Sequence, residues 1–197
     1  MKIYILQLTL VFLLTTSCVV EEQAQLSTWE IARRDESVLR LLTSAVFDMR
    51  LDTKENLEQA EAALLIAKEL NVLDPRVWDG LGSIEYRREN YELAEKYFKK
   101  SIKLNPSYDR PYMHLALIAE KRGDILASYQ LLRIAIHKNP MNYKARNNLA
   151  VLLSNYSNGS QEIQNSAYNE IIKASAINNK EQLIEKNKNI IKSPVAE

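Results

Sequence analysis

Residues 75–108 read PRVWDGLGSIEYRRENYELAEKYFKKSIKLNPSY, and the pattern recurs in the next 34 residues. Trp78, Tyr112 and Arg146 head successive units at that interval. Leu81-Gly82, Leu115-Ala116 and Leu149-Ala150 follow in step, and Asn105-Pro106 and Asn139-Pro140 close two units. Alanine or serine recurs at Ala60, Ala94 and Ser128, and again at Ala67, Ser101 and Ala135. A fixed period of this length marks stacked helical hairpins rather than an enzyme fold, and such stacks bind other macromolecules.

Composition agrees. The chain has 197 residues with 26 Lys+Arg against 25 Asp+Glu, the two signs interspersed. That balance argues against a nucleic-acid platform, which needs a basic stripe. Glycine is scarce and proline rare, as in a helical globular protein.

The N-terminus differs from the rest. Lys2 precedes an apolar run from Ile3 to Leu14, and no acidic residue comes before Glu21. This is a secretory n-region and h-region, too short for a membrane helix, which needs roughly 20 apolar residues. The run ends at Leu14-Thr15-Thr16-Ser17-Cys18, and Cys18 is the only cysteine. The stretch resembles a bacterial lipobox, in which that cysteine is lipidated and becomes the mature N-terminus. Thr15 departs from the commoner leucine. The other reading is an ordinary signal peptide with an incidental cysteine, although an odd exported thiol is a reactive liability. Removing residues 1–17 removes Lys2 alone among the charges, leaving 25 basic and 25 acidic side chains. By resemblance to lipoprotein sorting, Val19 is not the aspartate that retains a lipoprotein at the inner membrane. The implied location is the periplasmic face of an outer membrane. Residues 18–26 read as a lipidated tether.

Ser27 followed by Glu30 is a capping box, and a helix is predicted over residues 27–40. The region 41–180 resembles the tetratricopeptide repeat family, in units 41–74, 75–108, 109–142 and 143–180. In the second unit Trp78, Leu81, Gly82, Tyr91, Ala94, Phe98, Ser101, Leu104 and Pro106 fall at the family's spacings, while Glu85 stands where an aromatic is usual. The first unit fits more weakly, through Phe47, Leu51, Leu57, Ala60, Leu64, Ala67 and Leu70. The last unit holds its register only with about five residues inserted near Tyr156–Gln161.

The spacing has a physical reason. Two helices cross closely only where side chains are small. Three positions per unit carry this demand: Asp48, Gly82, Ala116, Ala150; Ala60, Ala94, Ser128, Ala167; and Ala67, Ser101, Ala135, Ala174. Eleven of these twelve are small, and Asp48 is the exception. Residues 181–192 read as a last amphipathic helix, with Leu183, Ile184, Asn187, Ile190 and Ile191 on one face. It is either a cap over the final hairpin or a docking helix. Residues 193–197 are a tail.

No chemistry-bearing motif stands out. His114 and His137 lack metal-ligand companions, with Ile118 and Met141 at the i+4 positions. There is no nucleophile elbow and no phosphate loop. The reading is therefore non-enzymatic, with no cofactor and no metal. The family resemblance implies a protein or peptide partner in a concave groove. Its lining carries over to Met49, Asp52, Asp79, Ser83, Tyr86, Arg110, Met113, Leu117, Glu120, Lys144, Asn147, Val151 and Ser154. Some family members clamp a terminal carboxylate. Lys144 and Asn148 stand at two clamp places, but Ala45 and Asp79 stand where lysines would be, so the clamp is incomplete. Met113, Leu117, Val151 and Tyr86 are expected as an exposed apolar floor suited to an extended peptide or amphipathic helix, unless they pack under the C-terminal helix.

The expected fold is thus all-α, a solenoid of about four hairpins with a capping helix. The expected function is a membrane-tethered protein–protein scaffold. Its layout resembles repeat-containing lipoproteins that assist pilus or secretion-pore assembly, including pilotins and their tight-adherence relatives. The alternative is an adaptor of peptidoglycan enzymes.

Overall fold

The structure, a computed structural model, describes residues 27–51 and 53–191. Cys18 with the leader, Asp52 and the tail from residue 192 lie outside the described residues. All regular structure among the described residues is helical: α1 Thr28–Leu51, α2 Lys54–Leu70, α3 Pro75–Arg87, α4 Tyr91–Leu104, α5 Arg110–Lys121, α6 Ile125–Lys138, α7 Tyr143–Asn155, α8 Gln161–Ile177 and α9 Gln182–Ile190. No described helix is long and apolar enough to cross a membrane.

The chain divides into two compact units, residues 1–37 and 38–197. In the first, the Ser27 N–H and hydroxyl both donate to the Glu30 carboxylate, at 2.8 and 2.6 Å. The Ser27 hydroxyl bond, then its N–H, holds Glu30 below the usual carboxylate range. This is the reciprocal half of a capping box, and it starts α1.

In the second unit α3 packs on α4, α5 on α6 and α7 on α8, and each hairpin packs on the next. The turns between hairpins are built alike. Asn71, Asn105, Asn139 and Asn178 each follow the end of a second helix. Each donates its N–H to the carbonyl four residues back, at Ala67, Ser101, Ala135 and Ala174. Each side-chain Oδ1 accepts from the N–H two residues on, at Leu73, Ser107, Met141 and Lys180. At the first three junctions this side-chain bond adds to a backbone turn bond, in which the carbonyls of Asn71, Asn105 and Asn139 accept from the N–H groups of Asp74, Tyr108 and Asn142. These asparagines stand 34, 34 and 39 residues apart. The longer interval holds the five added residues, divided between a longer α7–α8 turn, where Asn158 and Gly159 adopt φ of 47° and 80°, and an α8 of 17 residues against 14 in α4 and α6.

The unit heads share one task. Trp78 Nε1 donates to the Val72 carbonyl (2.7 Å), Tyr112 Oη to Pro106 (3.1 Å) and Arg146 Nε to Pro140 (3.0 Å). Each bond spans six residues and ties the new helix to the turn before it. A long side chain ending in a donor is required there, so Trp, Tyr and Arg are interchangeable. Arg88 to Glu61 and Arg122 to Glu95, both at 2.6 Å, repeat with the same period. Glu85, placed where an aromatic is usual, is buried and accepts from Arg88 (3.0 Å) and Asn90 (2.8 Å).

All eleven small residues expected at helix crossings are buried. The twelfth position needs correction. Asp48 is only half-buried, and Phe47 and Leu51, read as repeat positions, are 62% and 52% exposed. Val38, Leu42, Ala45 and Met49 face the core with Ala60, Leu64 and Ala67. The inward face of α1 thus lies three residues upstream, because a carboxylate does not fit a close crossing and fully buried Ala45 does. At the other end Ile184 and Ile191 are buried and Asn187 is half-buried, while Leu183 and Ile190, expected on the same face, are 54% and 65% exposed. The strip at i, i+3 and i+7 is narrower than the sequence suggested. α9 packs on α8 and α7, where Ser175 Oγ donates to Glu185 and Asn187 Nδ2 to Asn147, both at 2.8 Å.

Gly82 sets the tightest crossing. A Cβ there would meet the Phe98 ring at 2.6 Å, and that ring is stacked on His114 at 4.9 Å and 11°. At Gly80 a Cβ would meet the Leu64 side chain at 2.7 Å. Gly82→Ala gains up to about 1 kcal/mol of helix propensity, but wedges a stacked ring, at a cost on the order of 1–3 kcal/mol. Gly82→Ala is expected to lower the melting temperature more than Gly80→Ala, whose neighbour is a flexible end; equal melts would refute the Phe98 wedge.

Serine at a crossing acts in two ways. Ser101 Oγ donates to the Pro75 carbonyl at 2.7 Å, whereas the fully buried Ser128 Oγ has no partner among the described residues. Ser101→Ala is expected to cost about 1 kcal/mol, and Ser128→Ala to stabilise by a similar amount, since it removes an unsatisfied hydroxyl. Denaturant melts of the two variants should move in opposite directions.

Candidate partner-binding cleft

The first helix of each unit faces a common cleft of about 700 Å3. Met49 and Arg50 come from α1, Ser83, Tyr86 and Arg87 from α3, Arg110, Met113, His114 and Leu117 from α5, and Tyr143 and Lys144 from α7. Short turns with prolines or capping residues bring the N-termini of α5 and α7 to the rim. There Asp109 carries its carboxylate between the side-chain amides of Asn139 and Asn142, which donate to it.

Of the thirteen residues assigned by spacing, Met49, Ser83, Tyr86, Arg110, Met113, Leu117 and Lys144 line this cleft. The others do not. Asp52 lies outside the described residues. Glu120 is half-buried at its margin, near enough to Tyr86 to help raise the phenol's pKa, after burial and Tyr91. Asn147 is buried under α9, bonded to Asn187. Val151 packs with Ile184 and Ile191, and half-buried Ser154 lies outside the cleft lining. The C-terminal helix therefore covers the α7 end of the expected floor and leaves the middle open.

Met113 also needs correction. It was expected exposed, but it is 5% exposed and packs with Ala116, Leu132 and Leu149. Helix α5 is rotated so that its i position serves both core and floor. Half-buried Leu117 and Tyr86 remain the apolar surface a partner could reach.

Asp79 was expected on the wall and instead is 1% exposed. Tyr108 Oη donates to its Oδ2 at 3.2 Å, and Arg110 Nε stands 3.3 Å from the same oxygen. Burial opposes the charge of Arg110, but Asp79, Tyr108 and Asp109 together outweigh it and raise its pKa. Oδ1 has no hydrogen-bond partner among the described residues; His114 Nε2 is 3.7 Å away. Ser83, His114 and Asp79 thus meet, yet they form no catalytic relay. Ser83 Oγ donates to the Asp79 carbonyl at 2.8 Å and lies 3.5 Å from His114 Nε2, the same nitrogen that faces Asp79. A relay needs nucleophile and carboxylate on opposite ring nitrogens. Burial, helped by Arg110, Lys144 and Arg87 against the pull of Asp79, lowers His114 to about 4. It is neutral near pH 7 and a weak base. Exposed His137 touches none of this.

Sequence reasoning missed Arg50, Arg87 and His114. Their only signal was position at the C-terminal turns of first helices or beside the marked residues, which spacing rules for packing do not read.

With this geometry in place, likeness to other proteins is informative. Residues 75–108 match the tetratricopeptide repeat, and residues 94–191 match a family described as the Est1 DNA/RNA binding domain. No curated protein matches the chain by sequence. Among solved structures it is similar to the Thermobaculum terrenum O-GlcNAc transferase, at 17% identity and TM-score 0.61, over 73% of this chain and 26% of that one. Pseudomonas aeruginosa pilF gives 16% identity and TM-score 0.63, over 80% of this chain and 68% of the other. The Arabidopsis OM64 TPR domain gives 14% and 0.53, over 61% and 96%. The chain spans only about a quarter of the transferase, and these identities speak to the fold alone. That fold is the tetratricopeptide-repeat solenoid.

His114 makes stability pH-dependent. Its pKa falls from 6.5 to about 4 on folding, so between these values the unfolded chain binds more protons than the native one. Stability is full above pH 6.5 and declines as pH falls toward 4, by up to about 3 kcal/mol. His114→Gln is expected to flatten the difference between melts at pH 7 and pH 4.5 relative to the parent; an undiminished difference would remove His114 as its source.

Proposed function

We propose that this protein is a non-enzymatic scaffold that holds a protein partner in the cleft lined by α1, α3, α5 and α7. The observation that carries the reading is the cleft itself. Four first helices present an apolar floor and polar rim in an open concavity that no described segment fills, whereas the α7 end is covered by α9. The tetratricopeptide match supports a protein or peptide partner over a small substrate. A fold cannot name its ligand, so the remainder rests on the N-terminal reading. A lipid on Cys18 tethers the scaffold to the periplasmic face of an outer membrane, where it assists assembly of a pilus or secretion complex. The fold likeness to pilF fits that placement.

Affinity capture from membranes with the full chain tests both parts. Leu117→Lys is expected to reduce capture of the parent's partner about tenfold, the loss typical of one interface anchor, while the melt barely moves because Leu117 is only half-buried. Unchanged capture would place the ligand elsewhere. Cys18→Ala is expected to fold normally and leave the membrane fraction; a variant that stays in the outer membrane would reject Cys18 as the anchor. Pilus or secretin components among the captured proteins support the assembly role, and peptidoglycan hydrolases support the cell-wall alternative.

A further inference from the structure

The charge of the cleft does not match the charge of the chain. Overall the sequence is balanced, with 26 basic and 25 acidic side chains. The described lining of the cleft holds four cations, Arg50, Arg87, Arg110 and Lys144, and one carboxylate, Asp109. Asp109 is occupied by the amides of Asn139 and Asn142. Of the nearby acids, Asp79 answers Arg110 from the buried side, and Glu181 acts on Lys144 from α9's N-cap. Glu120 stands by Tyr86 at the margin. The cations come from four different helices, so only the fold gathers them.

Their proximity leaves a trace. Partial burial, then the Arg110 guanidinium, with Arg50 and Arg87 behind it, holds Lys144 below its ordinary value against the pull of Glu181. Gathering like charges costs folding energy, and an anionic occupant recovers it.

We propose that the cleft takes an acidic segment of a protein partner, its carboxylates meeting Arg50, Arg110 and Lys144 and its apolar side chains lying on Leu117 and Tyr86. This rests on the reading of the cleft as the partner site and adds its chemistry. A peptide suits the cleft better than a small anion, because the cations surround an apolar floor rather than one point. It suits it better than a nucleic acid, because a chain of 26 basic and 25 acidic side chains offers no extended basic track for a phosphate backbone, although Tyr86 and Tyr143 stand in the lining. The match to a DNA/RNA binding domain makes nucleic acid the competing outcome.

The probe is a phage-displayed library of random peptides, selected on the immobilised full chain and, in parallel, on the folded Arg50→Gln/Lys144→Gln variant. Both positions are exposed, and a melt checks that the variant is intact. Peptides selected by the parent are expected to be enriched in Asp and Glu. A synthetic copy of one is expected to bind the variant about tenfold more weakly, and to weaken with added salt, as paired charges require. Peptides without acidic enrichment that lose binding on Leu117→Lys would overturn the inference while sparing the cleft as a partner site. Recovery of no peptide sensitive to either variant would overturn both. A labelled single-stranded oligonucleotide that binds more tightly than the acidic peptide, and is lost in the charge variant, would overturn it in favour of nucleic acid.

Discussion

Two helices in this chain approach as closely as they do only because one contributes almost no side chain at the crossing. Gly82 against Phe98 is the extreme case, and fully buried Ala116 and Ala150 hold the equivalent position in the next two hairpins. Everything else follows from that contact. Close crossing leaves room for one large residue per hairpin to pass toward the next, and Phe98 does so, reaching His114 on α5. The stack brings His114 beside Ser83 and Asp79, and so the packing of a core aromatic decides the chemistry of the cleft wall.

The turns carry as much of the repeat as the crossings do. An asparagine side chain at each junction bonds the N–H two residues on, and a long donor near the start of the next helix ties that helix to a carbonyl six residues back. Neither device buries much apolar area. Each instead satisfies backbone groups that helix ends leave without partners, and so sets the angle at which one hairpin leaves the last. That angle brings Arg50, Arg87, Arg110 and Lys144, spread over 95 positions, into one cleft.

The cleft's polar groups divide into those the fold consumes and those it leaves. Asp79 is consumed: buried, bonded to Tyr108 and paired with Arg110. Asn147 is consumed by α9. Leu117, Tyr86, Arg50 and Lys144 are left facing an open volume. A scaffold that closed its own site would need the C-terminal helix to reach farther than it does, and α9 stops at the α7–α8 hairpin.

The period alone determined the helix count per unit, the eleven buried small positions and the place of the insertion. All of these depend on residues 34 apart meeting the same local demand, which a linear pattern records directly. Glu30 as a cap was legible for the same reason, since its partner lies three residues away. The inward face of α1 was not legible, because Asp48 broke the pattern and only packing could choose Ala45 in its place. The fates of Met113, Asp79 and Asn147 were decided by partners on other helices, Leu132, Tyr108 and Asn187. The charge of the cleft was hidden in a balanced composition. Charge balance is summed along the chain, whereas a field is summed over neighbours in space, and only the tertiary structure says which charges are neighbours.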